Sequence, residues 1–324
     1  TPRSPLMRAA LVRTFGTPPR WEEVGPPPAP GPGDVLVDVL AAGLHPRVRS
    51  AADGSHYTSR GELPLVPGID GMGRTEEGEL LYFVAPDTAL GTLAERALVD
   101  RRRAVPLPAG TDPLAVAAGM NPAMSSWVAL RRRVDFAPGS SVLVLGATGN
   151  AGRLAVQVAR GLGAARVVGA GRDPHRLGLL DALGAEPLDL RGEEHEVAGR
   201  LGAAAGDVDV VLDYLWGAPT ERAVPALLTA RTDRSRPLTW IQLGSVAGPE
   251  LTLSSAWLRA GALSFVGSGQ GSVTTAGIVA ELPALAEEIV SGRLDVRPVA
   301  RPLARVHEVW GEEVAAGERV VLVP

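Results

Sequence analysis

The chain contains no cysteine and no lysine. The first absence excludes disulfides, thiolate catalysis and any zinc site that depends on sulfur ligands. The second excludes a Schiff-base lysine and a P-loop lysine, and it leaves arginine as the only long cationic side chain. Long apolar runs are missing too. None approaches the roughly 18 residues that a bilayer-spanning helix needs, so no membrane partner is expected. A formal charge of −4 gives no global attraction to nucleic acid or anionic lipid. Residues Thr1 to Leu6 carry proline and arginine but no apolar stretch. No secretory signal is therefore expected, Met7 is the expected natural start, and a cytoplasmic location follows. What is present is ordinary for a globular protein, with 45% hydrophobic and 21% charged residues in a chain of 324, long enough for two cores.

The first third alternates short β-like runs with turns. Residues 9–12, 34–40, 80–84 and 92–99 read as strands, the second with apolar residues at alternate positions, and a proline-rich turn covers 25–33. From about Pro122 the pattern becomes regular strand and helix alternation, opening on a helix expected from Met124 to Arg132. Strands are expected at 141–145, 166–169, 186–190, 209–213, 238–243 and 262–266, with helices at 153–162, 174–183, 193–204 and 220–230. In the first of these helices Leu154, Val158 and Leu162 share one face, and Arg153, Gln157 and Arg160 lie on the other. Such alternation predicts an α/β fold with a parallel sheet covered on both faces. Beyond Gly271 a further helix carries Ile278, Leu282, Leu285 and Ile289, and Pro283 is expected to kink or split it. The closing apolar run 320–323 is expected to pack back on the first domain. The expected division is 1–121 with 272–324 as a β-rich domain, and 122–271 as a doubly wound, Rossmann-type domain.

Strand 141–145 leads into Gly146-Ala147-Thr148-Gly149-Asn150-Ala151-Gly152 and then a helix. A dinucleotide site needs this order: a tight turn, a backbone bare enough for a pyrophosphate to approach, close helix-to-strand packing, and the phosphates at the positive helix N-terminus. Three glycines alone are equally a turn requirement, and the strand–helix–strand context raises their weight. The next strand then separates NAD from NADP. An NAD site wants a carboxylate about 20 residues beyond the glycines. Here Gly171 is followed by Arg172, while Asp173-Pro174 reads as a helix cap followed by proline at the first helical position. Arg172 can grip a 2′-phosphate with its guanidinium fork, and Arg176 can add a second contact; otherwise both are solvated surface. NADPH is the expected cofactor.

Gly146 to Gly152, with Leu154-Ala-Val-Gln-Val-Ala-Arg160 and Leu183-Gly-Ala185 after it, resembles the zinc-independent quinone oxidoreductase branch of the medium-chain dehydrogenase/reductase superfamily. Met7-Arg-Ala-Ala-Leu-Val12 is similar to the start of that family, and Gly91-Thr-Leu-Ala-Glu95 to one of its strands. The resemblance covers essentially the whole chain from Met7. It implies a GroES-like first domain completed by the C-terminal segment, with the active site in the cleft between the domains. Zinc-dependent relatives carry a Cys ligand and a Gly-His-Glu motif, whereas this chain reads Gly68-Ile69-Asp70. No catalytic metal is expected, and Asp70 reads as a turn cap beside glycine. The family's Gly-x-Asn-Pro becomes Gly43-Leu44-His45-Pro46. His45 is thus either a donor of a hydrogen bond or proton to the reduced carbonyl or a loop histidine bound to backbone. Tyr57 and Tyr82 are weaker candidates for the acid. Ser125 matches a helix start near the nicotinamide, where it either bonds substrate or carboxamide or caps the helix. Gly244 and Ser245 follow the fifth strand of the second domain. Ser268, Gly269 and Gln270 follow the sixth, in a loop that either wraps the nicotinamide half or acts as a hinge.

The resemblance implies hydride transfer from NADPH to a quinone or an α,β-unsaturated carbonyl compound by a homodimer paired through the sixth strand, without a metal and with no nucleic-acid partner. A specialised biosynthetic enoyl reductase and a non-catalytic NADPH-binding sensor stay open as alternatives.

Overall fold

The structure, a computed structural model, describes residues 6–324 apart from Tyr57, Arg60 and Ala316. It divides into two compact units, one of the residues up to Asn121 together with Leu282–Pro324, the other Pro122–Glu281.

In the first unit β1 (Met7–Leu11) pairs antiparallel with β2 (Arg20–Val24). β3 (Asp34–Gly43) alternates buried and half-buried residues through Val37 and Val39, then is buried continuously from Ala41. Helix α1 (Pro46–Ala52) starts immediately after His45, with proline supplying a preset φ at its first position. β4 (Asp70–Thr75), β5 (Leu80–Val84), β6 (Arg96–Asp100) and β7 (Ala104–Leu107) build an antiparallel sheet in which β3 lies between β4 and β6, and β5 between β4 and β7.

Helix α2 (Pro113–Arg132) begins well before the Met124 expected from sequence and carries Pro122 inside it. Proline removes a backbone hydrogen bond at a cost of about 3 kcal/mol. Burial of Val116, Ala117, Ala118 and Met120 on the preceding turns offsets that cost and keeps the helix going. The boundary between the units falls inside this helix.

The second unit runs β8 (Ser141–Leu145), α3 (Asn150–Gly161), β9 (Arg166–Gly171), α4 (Pro174–Gly178), β10 (Glu186–Asp189), α5 (Glu194–Ala205), β11 (Val210–Asp213), α6 (Gly217–Ala230), β12 (Leu238–Gln242), α7 (Ser255–Ala260) and β13 (Leu263–Gly267). Its strands are all parallel in the order β10-β9-β8-β11-β12-β13, so the winding reverses between β8 and β11. That reversal opens a crevice at the carboxyl ends of the two strands. Leu143, Val168, Val211 and Trp240 fill the core, and truncating a buried leucine such as Leu143 to alanine would cost roughly 2–5 kcal/mol. Two local expectations fail here. Arg153, placed on the outer face of α3, is only 5% exposed, and the helix expected over 174–183 ends at Gly178, with a separate 3-10 turn at Asp181–Leu183.

Helix α8 (Thr275–Val290) is one continuous helix through Pro283, not split, since Leu282, Leu285, Ala286 and Ile289 are buried around the proline. β14 (Arg297–Pro302), α9 (Val306–Val309) and β15 (Glu318–Val323) complete the chain. β15 pairs with β14 and, through Val321 and Leu322, with Gly43 and Ala42 of β3. Leu303, Val306, Val309, Val320 and Leu322 then share one core with Ala42, Leu44 and Val48, so the last segment completes the hydrophobic support of His45.

Candidate functional site

The turn after β8 shows why its glycines are glycines. Gly146 has φ +90°, a conformation that side-chain-bearing residues rarely adopt. A Cβ on Gly152 would lie 2.2 Å from the carbonyl oxygen of Gly146, and one on Gly171 would lie 2.4 Å from Thr148. The first and third glycines therefore touch backbone to backbone. The N–H groups of Gly146 and Ala147 both donate to the Ala170 carbonyl, at 3.0 and 2.9 Å, which fastens the turn to the end of β9. Gly149, which has no side chain to offer, caps α3. The structure thus presents an open, positively polarised helix start beside Gly146 to Ala151, a cradle suited to a pyrophosphate.

Arg172 and Arg176 lie at the rim of that cradle, but in different states. Asp173 caps α4 as expected and also pairs with the Arg176 guanidinium at 3.2 Å, whose other arm reaches the Thr148 carbonyl at 3.5 Å. Arg172 is exposed and, among the described residues, has no ion pair or hydrogen bond from its side chain. One arginine is anchored to the turn, and the other is a free fork next to it.

Ser125 is not a helix cap. It sits within α2, where its hydroxyl donates to the Pro122 carbonyl at 2.8 Å and lies 2.8 Å from the phenol oxygen of Tyr214. Tyr214 follows β11, and burial pushes its phenol up to about 12, against the opposing hydrogen bonds of Ser125 and Ser126. The same residue lies against the missing side chains of two glycines. A Cβ on Gly146 would be 3.2 Å from Tyr214 Cβ, and one on Gly244 would be 3.0 Å from the Tyr214 carbonyl. Tyr214 therefore connects Ser125, the phosphate turn and the loop after β12. Sequence reasoning missed it; the available signal was its place immediately after a strand at the ligand-binding edge of the sheet.

Asp213 holds this corner together. Its carboxylate accepts from the N–H groups of Leu215 and Trp216, the Thr220 hydroxyl and the Trp240 indole, all within 2.9 Å. Such complete satisfaction supports Trp216 at φ +58°, a costly conformation for a bulky residue. Gln242 then joins the two remaining loops, since its side chain donates to the Gly244 carbonyl and its own carbonyl accepts from Ser268 N–H. Gly244, Ser245, Ser268, Gly269 and Gln270 are thus neighbours along the carboxyl ends of β12 and β13. The Arg131–Arg132 pair is structural, with Glu281 accepting from both guanidinium groups and from the Trp127 indole.

In the first unit His45 is buried, and its Nε2 faces Asp70 Oδ1 at 3.3 Å. Tyr82 donates to the other Asp70 oxygen at 2.9 Å. Asp70 is accordingly no turn cap; it opens β4 as a buried carboxylate between a histidine and a tyrosine. Burial lowers the His45 pKa, opposed by Asp70 and helped by Arg319 and Arg47. The carboxylate favours a proton on Nε2, which makes Nδ1 of the neutral ring an acceptor. His45 is also no backbone-bound loop histidine, since its Nε2 faces the Asp70 carboxylate and no backbone group bonds either ring nitrogen among the described residues. Tyr57 lies outside the described residues. No group of three or more His, Asp or Glu side chains that could hold a metal occurs among the described residues, and none of their helices is long and apolar enough to cross a membrane.

A glycine-turn Rossmann unit whose chain continues into the sheet of an irregular β unit defines a two-domain, medium-chain type of dehydrogenase/reductase. No family model matches the chain. The probable NADPH-dependent quinone reductase tdiC of Emericella nidulans is 34% identical over 98% of this chain and 100% of its own length. The chain belongs to the zinc-independent quinone oxidoreductase branch of the medium-chain dehydrogenase/reductase superfamily. Solved structures agree on the fold. A quinone oxidoreductase of Pseudomonas syringae pv. tomato superposes with TM-score 0.81 at 23% identity, covering 98% of this chain and 100% of that one. A mycobacterial protein solved with NADPH gives 0.80 at 24% identity over the same shares.

Proposed function

We propose that the chain binds NADPH on its second unit and uses it to reduce a quinone or an α,β-unsaturated carbonyl compound. The observation that carries this reading is the free Arg172 fork beside a turn whose glycines meet backbone to backbone. Gly146, Ala147, Thr148, Gly149, Asn150 and Ala151 hold the pyrophosphate. Gly171 leaves room for Thr148, and Arg172 with Arg176 takes the 2′-phosphate. Gly244, Ser245, Ser268, Gly269 and Gln270 border the nicotinamide half. The quinone reductase name of the 34%-identical relative supports the acceptor class.

When bound, NADPH supplies the hydride; the chain's own residues bind, orient and exclude water. Ser125 and Tyr214 give that region a rigid pair of hydroxyls. His45, buried against Asp70 with its pKa lowered by that burial, supports the fold around it, and the proton comes from water. That revises the role expected of it as a proton donor. The first unit is the catalytic domain and the second the cofactor domain, with their second boundary at 281/282 in place of the expected 271/272. Two copies pair through the outer strand β13, whose far edge has no partner strand among the described residues. The protein works in the cytoplasm.

Stopped-flow oxidation of bound NADPH by quinones, enals and enoyl thioesters tests the reading. Quinone or enal turnover is expected to exceed that of thioesters. Tight NADPH binding with background oxidation by every acceptor would replace the reductase by a sensor.

A further inference from the structure

Arg49 and Arg319 of the first unit have no counter-charge in contact among the described residues. Arg49 lies one turn along α1 from His45, its N–H donating to the His45 carbonyl, and Arg319 lies on β15 and donates to the Leu44 carbonyl at 3.3 Å. Both side chains are partly buried, and the Nε of each is buried without a hydrogen-bond partner. Among the described residues neither guanidinium has a carboxylate within ion-pair distance, whereas the neighbouring Arg47 is paired with Asp87 at 3.0 Å. Asp70 is committed to Tyr82 and His45.

Burying a guanidinium without a partner is costly, and placing two near each other costs more. Burial and then the charge of Arg49 push the Arg319 guanidinium down to about 10, with Asp70 opposing. Burial alone lowers Arg49, with no acidic group to raise it. An oxoanion spanning the two forks would satisfy both Nε donors and remove the repulsion.

We propose that Arg49 and Arg319 form an oxoanion site, taking a carboxylate or phosphate group, directly beside His45. Two sources share this chemistry: an acidic group carried by the acceptor, or a free inorganic anion. The first rests on the reductase reading; the second does not.

The test has two arms on the whole chain. In the first, melting is followed with sodium phosphate against sodium chloride at equal ionic strength. Phosphate is expected to raise the melting temperature in Arg172→Ala, which removes the competing nucleotide-phosphate contact, and not in the double variant Arg172→Ala with Arg49→Met. Arg49→Lys is expected to recover part of the shift. In the second, KM is compared for a carboxylated quinone and its carboxamide analogue. Within Arg49→Met the ratio of the two KM values is expected to rise about tenfold or more, the loss of one charge-assisted contact. Arg319→Met should behave alike if it folds, and the more exposed Arg49 keeps the test valid if it does not. A phosphate shift without a KM effect assigns the site to a free anion, and a KM effect assigns it to the acceptor. Equal phosphate shifts in Arg172→Ala with and without Arg49→Met, together with an unchanged KM ratio, overturn the proposal whatever the chain reduces.

Discussion

The phenol oxygen of Tyr214 and the hydroxyl of Ser125 lie 2.8 Å apart, and the Pro122 carbonyl lies 2.8 Å from the same serine oxygen. Both hydroxyls are therefore engaged with each other within the fold. The part of Ser125 is to hold Tyr214, and Tyr214 in turn lies against both Gly146 and Gly244.

Removing the phenol oxygen gives the first prediction. Tyr214→Phe should cost about 1–2 kcal/mol of stability, as for a partly buried hydrogen-bonded hydroxyl. The raised phenol pKa, about 12 against an ordinary 10, means the folded chain holds more protons than the unfolded chain between those values. Its contribution is complete below pH 10 and is lost as pH rises through about 12. Denaturation midpoints at pH 9 and 11 should converge in Tyr214→Phe relative to the parent chain; an equal fall in both would exclude this role.

Glycine substitutions separate close approach from simple helix propensity. Gly152→Ala places a Cβ 2.2 Å from a carbonyl oxygen, so it should weaken NADPH binding by at least about a hundredfold and lower stability. Gly199, inside α5, has nothing within 4 Å of its missing Cβ. Gly199→Ala should stabilise by roughly 0.5–1 kcal/mol with binding unchanged. Calorimetric titration and thermal melting read both variants, and similar behaviour of the two would remove the packing argument.

Acid sensitivity should trace to His45. Its folded pKa is lowered, chiefly by burial, so between that value and about 6.5 the unfolded chain binds the extra proton. The contribution is present above pH 6.5 and is lost as pH falls through the folded value. His45→Gln should flatten the stability profile on the acid side of pH 6.5. A profile as steep as that of the parent chain would place the acid-sensitive group elsewhere.

Local pattern carried most of the second unit, because turn, strand and helix there are each written in contiguous residues. The Gly146 to Gly152 turn, the Asp173 cap and the strand 141–145 lie where the sequence puts them. Pro122 and Pro283 misled, since a proline reads as a break and only the burial of the surrounding apolar residues shows that the helix continues. Tyr214 and Asp70 were illegible for another reason. Their meaning depends on Ser125, 89 positions away, and on Tyr82 across a strand pair, contacts that only folding creates.

The free fork of Arg172 is read most directly by equilibrium fluorescence titration of NADPH and NADH against the parent chain and Arg172→Ala. Removal of an unpaired, exposed side chain should leave stability unchanged and weaken NADPH about tenfold or more, with NADH affected much less. Equal loss for both cofactors, or no loss for either, would contradict the assignment of the 2′-phosphate to Arg172.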